Sequence, residues 1–149
     1  YHFGSKDSLI NEALKTVTVQ LKKAFGCLKA SEIDPETKIE CFVKEYSKVV
    51  RKYPDIIRNF ISQSLHNNPE DEYQEYLKEE GIELISRAIG SMQPGEDKAC
   101  LYMRSLQLIS SLSFPILIGD RIQETIGLDL NNPEIRNRYI ELVVKNVVG

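Results

Sequence analysis

Tyr1-His2-Phe3-Gly4-Ser5-Lys6-Asp7-Ser8-Leu9-Ile10 opens the chain, and its reading decides how the rest is taken. Ser5 is placed to cap a helix, and Asp7 in the first turn complements the positive end of the helix dipole. A Tyr hydroxyl and a His ring donate hydrogen bonds, and phosphate oxygens accept them. Lys6 adds a cation beside the free N–H groups of a helix start, which together make a phosphate site. Tyr1, His2 and Lys6 are therefore candidate phosphate contacts, with Phe3 as an apolar anchor. The plainer reading of the same residues is a capped helix preceded by two aromatics.

Outward from this start the chain reads as helices throughout, about six of them. Asp34-Pro35-Glu36, Tyr53-Pro54-Asp55, Asn68-Pro69-Glu70 and Asn132-Pro133-Glu134 repeat one signal. In three of them Asp or Asn accepts from the first free N–H groups, and in all four Pro occupies the first turn and an acid faces the dipole. Gly95-Glu96-Asp97 marks a fifth start less sharply. The first helix, about 5–27, repeats Ile10, Leu14, Val17, Leu21, Ala24 and Leu28 with helical spacing. At 1.5 Å per residue it is roughly 34 Å long, so it can act as a lever. The second, 35–51, sets Ile39, Phe42, Val43, Tyr46 and Val50 on one face. The third, 54–65, offers Ile57, Phe60, Ile61, Ser64 and Leu65. The fourth, 70–90, carries Tyr73, Leu77, Leu84, Ile85 and Ala88 against an acidic, solvated face of Glu72, Glu75, Glu79 and Glu83. No segment alternates with period two, so strands are not expected.

The segment from Leu101 to Ile118 differs, because apolar residues occur on every side of it. A helix apolar all round is buried all round, and a six-helix domain has little core to spare, so a partner subunit is the economical explanation. Pro115 is expected to kink this helix or end its regular part. After a short turn, 121–126, that stops at Gly127, the last helix, 133–148, carries Ile135, Tyr139, Leu142, Val143 and Val147. The expected dimer face is Leu106, Ile109, Leu112 and Ile116 with Tyr139, Leu142 and Val143, a four-helix interface between two copies. A charge at Leu112 or Leu142 is expected to split it.

The bulk numbers agree with one soluble, all-α domain. A chain of 149 residues can bury about 68–70% of its unfolded surface. The net charge of −3 shows no basic concentration of the kind nucleic-acid binding needs. The longest uncharged run, between Arg104 and Asp120, is interrupted by serines and is short of a membrane span. Cys27, Cys41 and Cys100 are far apart and lack zinc spacing; as unpaired buried thiols they suit a reducing cytoplasm. Two histidines leave no metal set, and no cofactor is implied. No Gly-x-Ser-x-Gly, Gly-rich phosphate loop or His-Glu-x-x-His is present, so catalysis is not expected.

The opening Tyr-His-Phe-Gly-Ser-Lys closely resembles the junction in TetR-family transcription regulators where the DNA-recognition helix ends and the long connecting helix begins. The succession of helices, and Ile126-Gly127-Leu128-Asp129 through Pro133, Arg138-Tyr139 and the Val-rich end, is similar to the rest of that family's pattern. The resemblance implies that residues 1–6 are the remnant of a helix-turn-helix domain whose first part is missing, truncated or disordered. Residues 5–149 are then an effector-binding and dimerising body. It implies a cytoplasmic homodimer that places two recognition helices on operator DNA, with Tyr1, His2 and Lys6 touching phosphate, and that is released by a small, largely apolar effector. Phe42, Tyr46, Phe60, Ser64, Tyr102 and Met103 combine apolar surface with polar handles as pocket candidates; each also reads as plain core, and His66 as a helix-end residue. A dimeric helical adaptor with no small-molecule ligand is the alternative. It explains the apolar segment but not the opening residues.

Overall fold

A computed structural model describes residues 2–58 and 81–149, and among these every regular element is helical. Helix α1 spans His2–Gly26 and runs into a 3-10 turn, Cys27–Lys29. Helix α2 is Pro35–Lys52, α3 Glu83–Met92, α4 Lys98–Leu117, α5 Gly119–Ile126 and α6 Pro133–Val148. One further helical turn occupies 54–58.

The caps follow the sequence signals. Asp34 accepts from the Thr37 N–H at 3.0 Å and from its hydroxyl at 2.7 Å, with Pro35 in the first turn of α2. The same capping holds the Asp34 carboxyl below its ordinary pKa, chiefly through the Thr37 hydroxyl. Asn132 accepts from Glu134 N–H at 2.9 Å to start α6. Asp97, in the least distinct of the signals, accepts from Cys100 N–H at 2.7 Å and starts α4 three residues ahead of the apolar run. Gly127 ends α5 with φ 75°, a left-handed conformation that Gly adopts without steric cost.

One expected start is displaced. Helix α1 begins at His2, so Ser5 lies inside it and caps nothing. Gly4 and Ser5 cost a helix interior no more than about 1 kcal/mol each, too little to stop a helix that continues for six turns behind them. The Lys6 N–H then falls within the helical ladder rather than among the free N–H groups of the helix start.

Helix α2 is the hub and packs against α1, α3, α4 and α6. Its predicted stripe is the core: Ile39, Phe42, Val43 and Val50 are fully buried and Tyr46 nearly so. The Phe42 ring stacks on Phe25 at 5.3 Å and lies 5.4 Å from Tyr46. From α1 and the 3-10 turn after it, Val17, Ala24 and Leu28 are buried as their spacing predicts, and Phe25 joins them. Two pairs of buried hydroxyls are matched across helices, Tyr46 with Ser113 at 2.9 Å and Ser86 with Ser105 at 2.9 Å, while the buried Ser47 hydroxyl has no such match.

The cysteines depart from expectation. Cys27 and Cys41 form a disulfide with Cα atoms 5.9 Å apart, and Cys100 alone is free. Sequence distance concealed this, because the chain turns back after α1 and lays α2 along it, which brings the end of one helix beside the middle of the next. The expectation of three unpaired thiols, and the inference about compartment that rested on it, therefore lose their basis. Closing a loop between residues separated by 14 positions stabilises a fold by about 3 kcal/mol. Cys27→Ser with Cys41→Ser is accordingly expected to lose about that much in urea unfolding, and a reductant is expected to produce the same loss in the unmutated chain and none in the variant.

Candidate functional site

Helix α4 sets the geometry of the outer surface. It continues two residues past Pro115, stops at Leu117, and α5 leaves at 75° to it. Pro115 has no N–H to give to the Ser111 carbonyl one turn back. The Tyr139 hydroxyl of α6 donates to that carbonyl instead, at 2.7 Å. Arg58 closes the other loose end by donating to the Leu117 carbonyl, while holding Asp55 at 2.6 Å. Pro115, expected to kink this helix or end its regular part, stands two residues before the helix end, and two side chains from other elements meet carbonyls there. Burial raises the Tyr139 phenol above its ordinary pKa, so it stays a donor through neutral pH. Tyr139→Phe is expected to cost about 1–2 kcal/mol in thermal unfolding by leaving the carbonyl unmet; a neutral substitution would show that water replaces the bond.

The residues expected at a dimer face divide by exposure. Leu106 and Leu142 stand on the outer surface at 56% and 57% exposure. Ile109, Ile116 and Tyr139 are partly buried at its margin. Leu112 and Val143, 1% and 6% exposed, belong to the protomer's own core. A charge at Leu112 would therefore unfold the protomer rather than split a dimer. The expectation failed there because α4 is apolar on all sides, and periodicity cannot tell its inner face from its outer one. Met103, Leu106 and Phe114, each more than half exposed, follow helical spacing along α4. They form an uncovered apolar strip along α4, and Leu142 is exposed on α6, the helix that packs on α4.

The expected pocket residues do not converge. Phe42 and Tyr46 are filled core, and burial pushes the Tyr46 phenol up while its bond to Ser113 acts the other way. Tyr102 donates to Glu83, with Lys98 5.4 Å above its ring and 3.9 Å from the same carboxylate. Met103 points outward, into the apolar strip. Phe60, Ser64 and His66 lie outside the described residues, as does Tyr1; His2 and Lys6 sit in the first turns of α1.

An open groove of about 1080 Å³ lies elsewhere, between α2 and α6. Glu36, Glu40, Lys44, Lys48 and Arg51 line it from α2, and Arg136, Ile140, Val144 and Lys145 from α6. Sequence reading passed over these residues because each alone is an ordinary surface charge; the signal present was their three- and four-residue spacing along the polar side of α2. Among the described residues, no three His, Cys, Asp or Glu side chains are grouped to hold a metal ion. No described helix is long and apolar enough by itself to cross a membrane. No family model, curated protein or solved structure matches the chain.

Proposed function

We propose that the chain is the sensing and dimerising body of a ligand-responsive, DNA-binding transcriptional regulator of the TetR type, acting as a repressor. The observation that carries this reading is the exposure of Met103, Leu106 and Phe114 on one C-terminal helix and of Leu142 on another, two helices that already pack together. Two copies joined there form a four-helix interface. It stands with a 25-residue α1 that opens on Tyr1-His2-Phe3-Gly4-Ser5-Lys6. In this reading base recognition lies N-terminal to Tyr1, and Tyr1, His2 and Lys6 add phosphate contacts. An effector held by one conformation more tightly shifts the population toward it. α1 transmits that shift to the distance between the two DNA-reading heads, and operator DNA weakens effector binding by the same factor.

A cytoplasmic setting goes with the reading, and the redox state of the Cys27–Cys41 pair in intact cells checks it: mostly thiol agrees, mostly disulfide disagrees. The function itself is tested by a gel shift of the full-length product of the gene on its own upstream DNA. A retarded band that scrambled duplex fails to compete away is expected; equal competition by the scrambled duplex refutes DNA reading.

A second reading, a dimeric helical adaptor with no small-molecule ligand, draws on the stacked Phe25 and Phe42 rings and the tilted Tyr46 ring beside them, which fill the core where pocket residues were expected. Thermal-shift screening separates the two, since a ligand held at 100 times its Kd adds about 2.7 kcal/mol to apparent stability.

A further inference from the structure

We propose that the groove between α2 and α6 is a binding site for a small amphipathic oxyanion, with a phosphate or carboxylate head at Arg51 and Arg136 and an apolar tail over Ile140 and Val144. Both guanidiniums face the groove at the end formed by the last turn of α2 and the first turn of α6. Each spends one donor on a carbonyl, Arg51 on Ser47 at 3.3 Å and Arg136 on Asn131 at 3.3 Å. Among the described residues neither has a carboxylate within ion-pair distance, although the groove contains four. Glu45, the nearest in sequence to Arg51, is engaged by Lys48 at 3.1 Å. Glu36 and Glu40 lie 11 to 15 positions before Arg51, hence roughly 16–22 Å down the helix at the opposite end. Glu141 lines the same groove, more than a turn beyond Arg136 on α6.

Two like charges left together with unused donors are an unfavourable arrangement that one anion relieves. A guanidinium offers a planar fork that fits phosphate and carboxylate oxygens in pairs. Burial lowers the Arg51 pKa, and the nearby Arg136 charge acts in the same direction. Arg51 still remains cationic at neutral pH. The apolar side chains of Ile140 and Val144 beyond the head site favour an anion with a hydrocarbon tail over inorganic phosphate alone, and the two guanidiniums set where the head sits. The groove shares none of the expected pocket residues, and it stands or falls independently of any role in transcription.

Isothermal titration with monomeric decyl phosphate tests it. One saturable site per protomer is expected, with decanol and inorganic phosphate each binding at least tenfold more weakly. Arg51→Gln with Arg136→Gln is expected to weaken decyl phosphate at least tenfold without change in helical content, and Lys98→Gln, outside the groove, to leave it unchanged. Unsaturable binding, equal binding of decanol, or an undiminished affinity in the double variant would overturn the proposal. So would arginine-dependent flotation with phosphatidylglycerol vesicles in the absence of monomer binding, which would assign the arginines to a membrane surface.

Discussion

Replacing Leu106 and Leu142 by Glu together is expected to convert a dimer into a monomer with its fold intact. Each residue is more than half exposed in the protomer, so a charge there meets water in the isolated chain. In the proposed dimer the same two positions on each copy meet across the two-fold axis, and four carboxylates would be buried without partners. Buried unpaired charges cost several kcal/mol, so the dimer is expected to weaken by roughly a hundredfold or more. Light scattering should report 17.0 kDa for the variant and twice that for the parent, with unchanged circular dichroism. A variant that stays dimeric would move the interface elsewhere. A variant that unfolds would show that these leucines are needed by the protomer.

The largest loss of stability is expected from Phe42→Ala, at about 3–5 kcal/mol, or roughly 6–20 °C in melting temperature. Phe42 is completely buried, with its ring stacked on Phe25 and beside Tyr46. Its ring neighbours come from α1 and α2, elements that other contacts also hold, so the space left by the ring closes only in part. Urea unfolding measures the effect. A loss under about 1 kcal/mol would mean that Phe42 borders an open cavity after all, as the pocket reading of the sequence had it.

How much was legible in the sequence depended on whether a signal was local. Asp34, Pro35, Asn132, Pro133 and Gly127 act on the backbone within a few residues of themselves, and the helices start and stop where they say. The stripe on α2 was legible because its other side is strongly charged, so only one face could go inward. On α4 that contrast is absent: Leu106 and Leu112, six residues apart, lie about 240° apart around the helix, yet both are leucines. Which of them faces the core depends on where α2 and α6 lie, which no local pattern states. The Cys27–Cys41 bridge, the Tyr139–Ser111 bond and the pairing of Arg51 with Arg136 along one groove are likewise products of topology. Ser5 shows the converse, a residue with a strong capping preference that helix continuity overrode.

The most direct measurement is the salt dependence of DNA binding by the full-length product of the gene, followed by fluorescence anisotropy on its own upstream region. The proposal predicts a protected site with two half-sites whose centres lie about 34–36 Å apart or a multiple of that. It also predicts a log–log fall of affinity with salt and a preference of about a thousandfold or more over scrambled duplex. An affinity that is the same for both duplexes at every salt concentration would contradict the claim that this helical body serves a DNA-reading regulator.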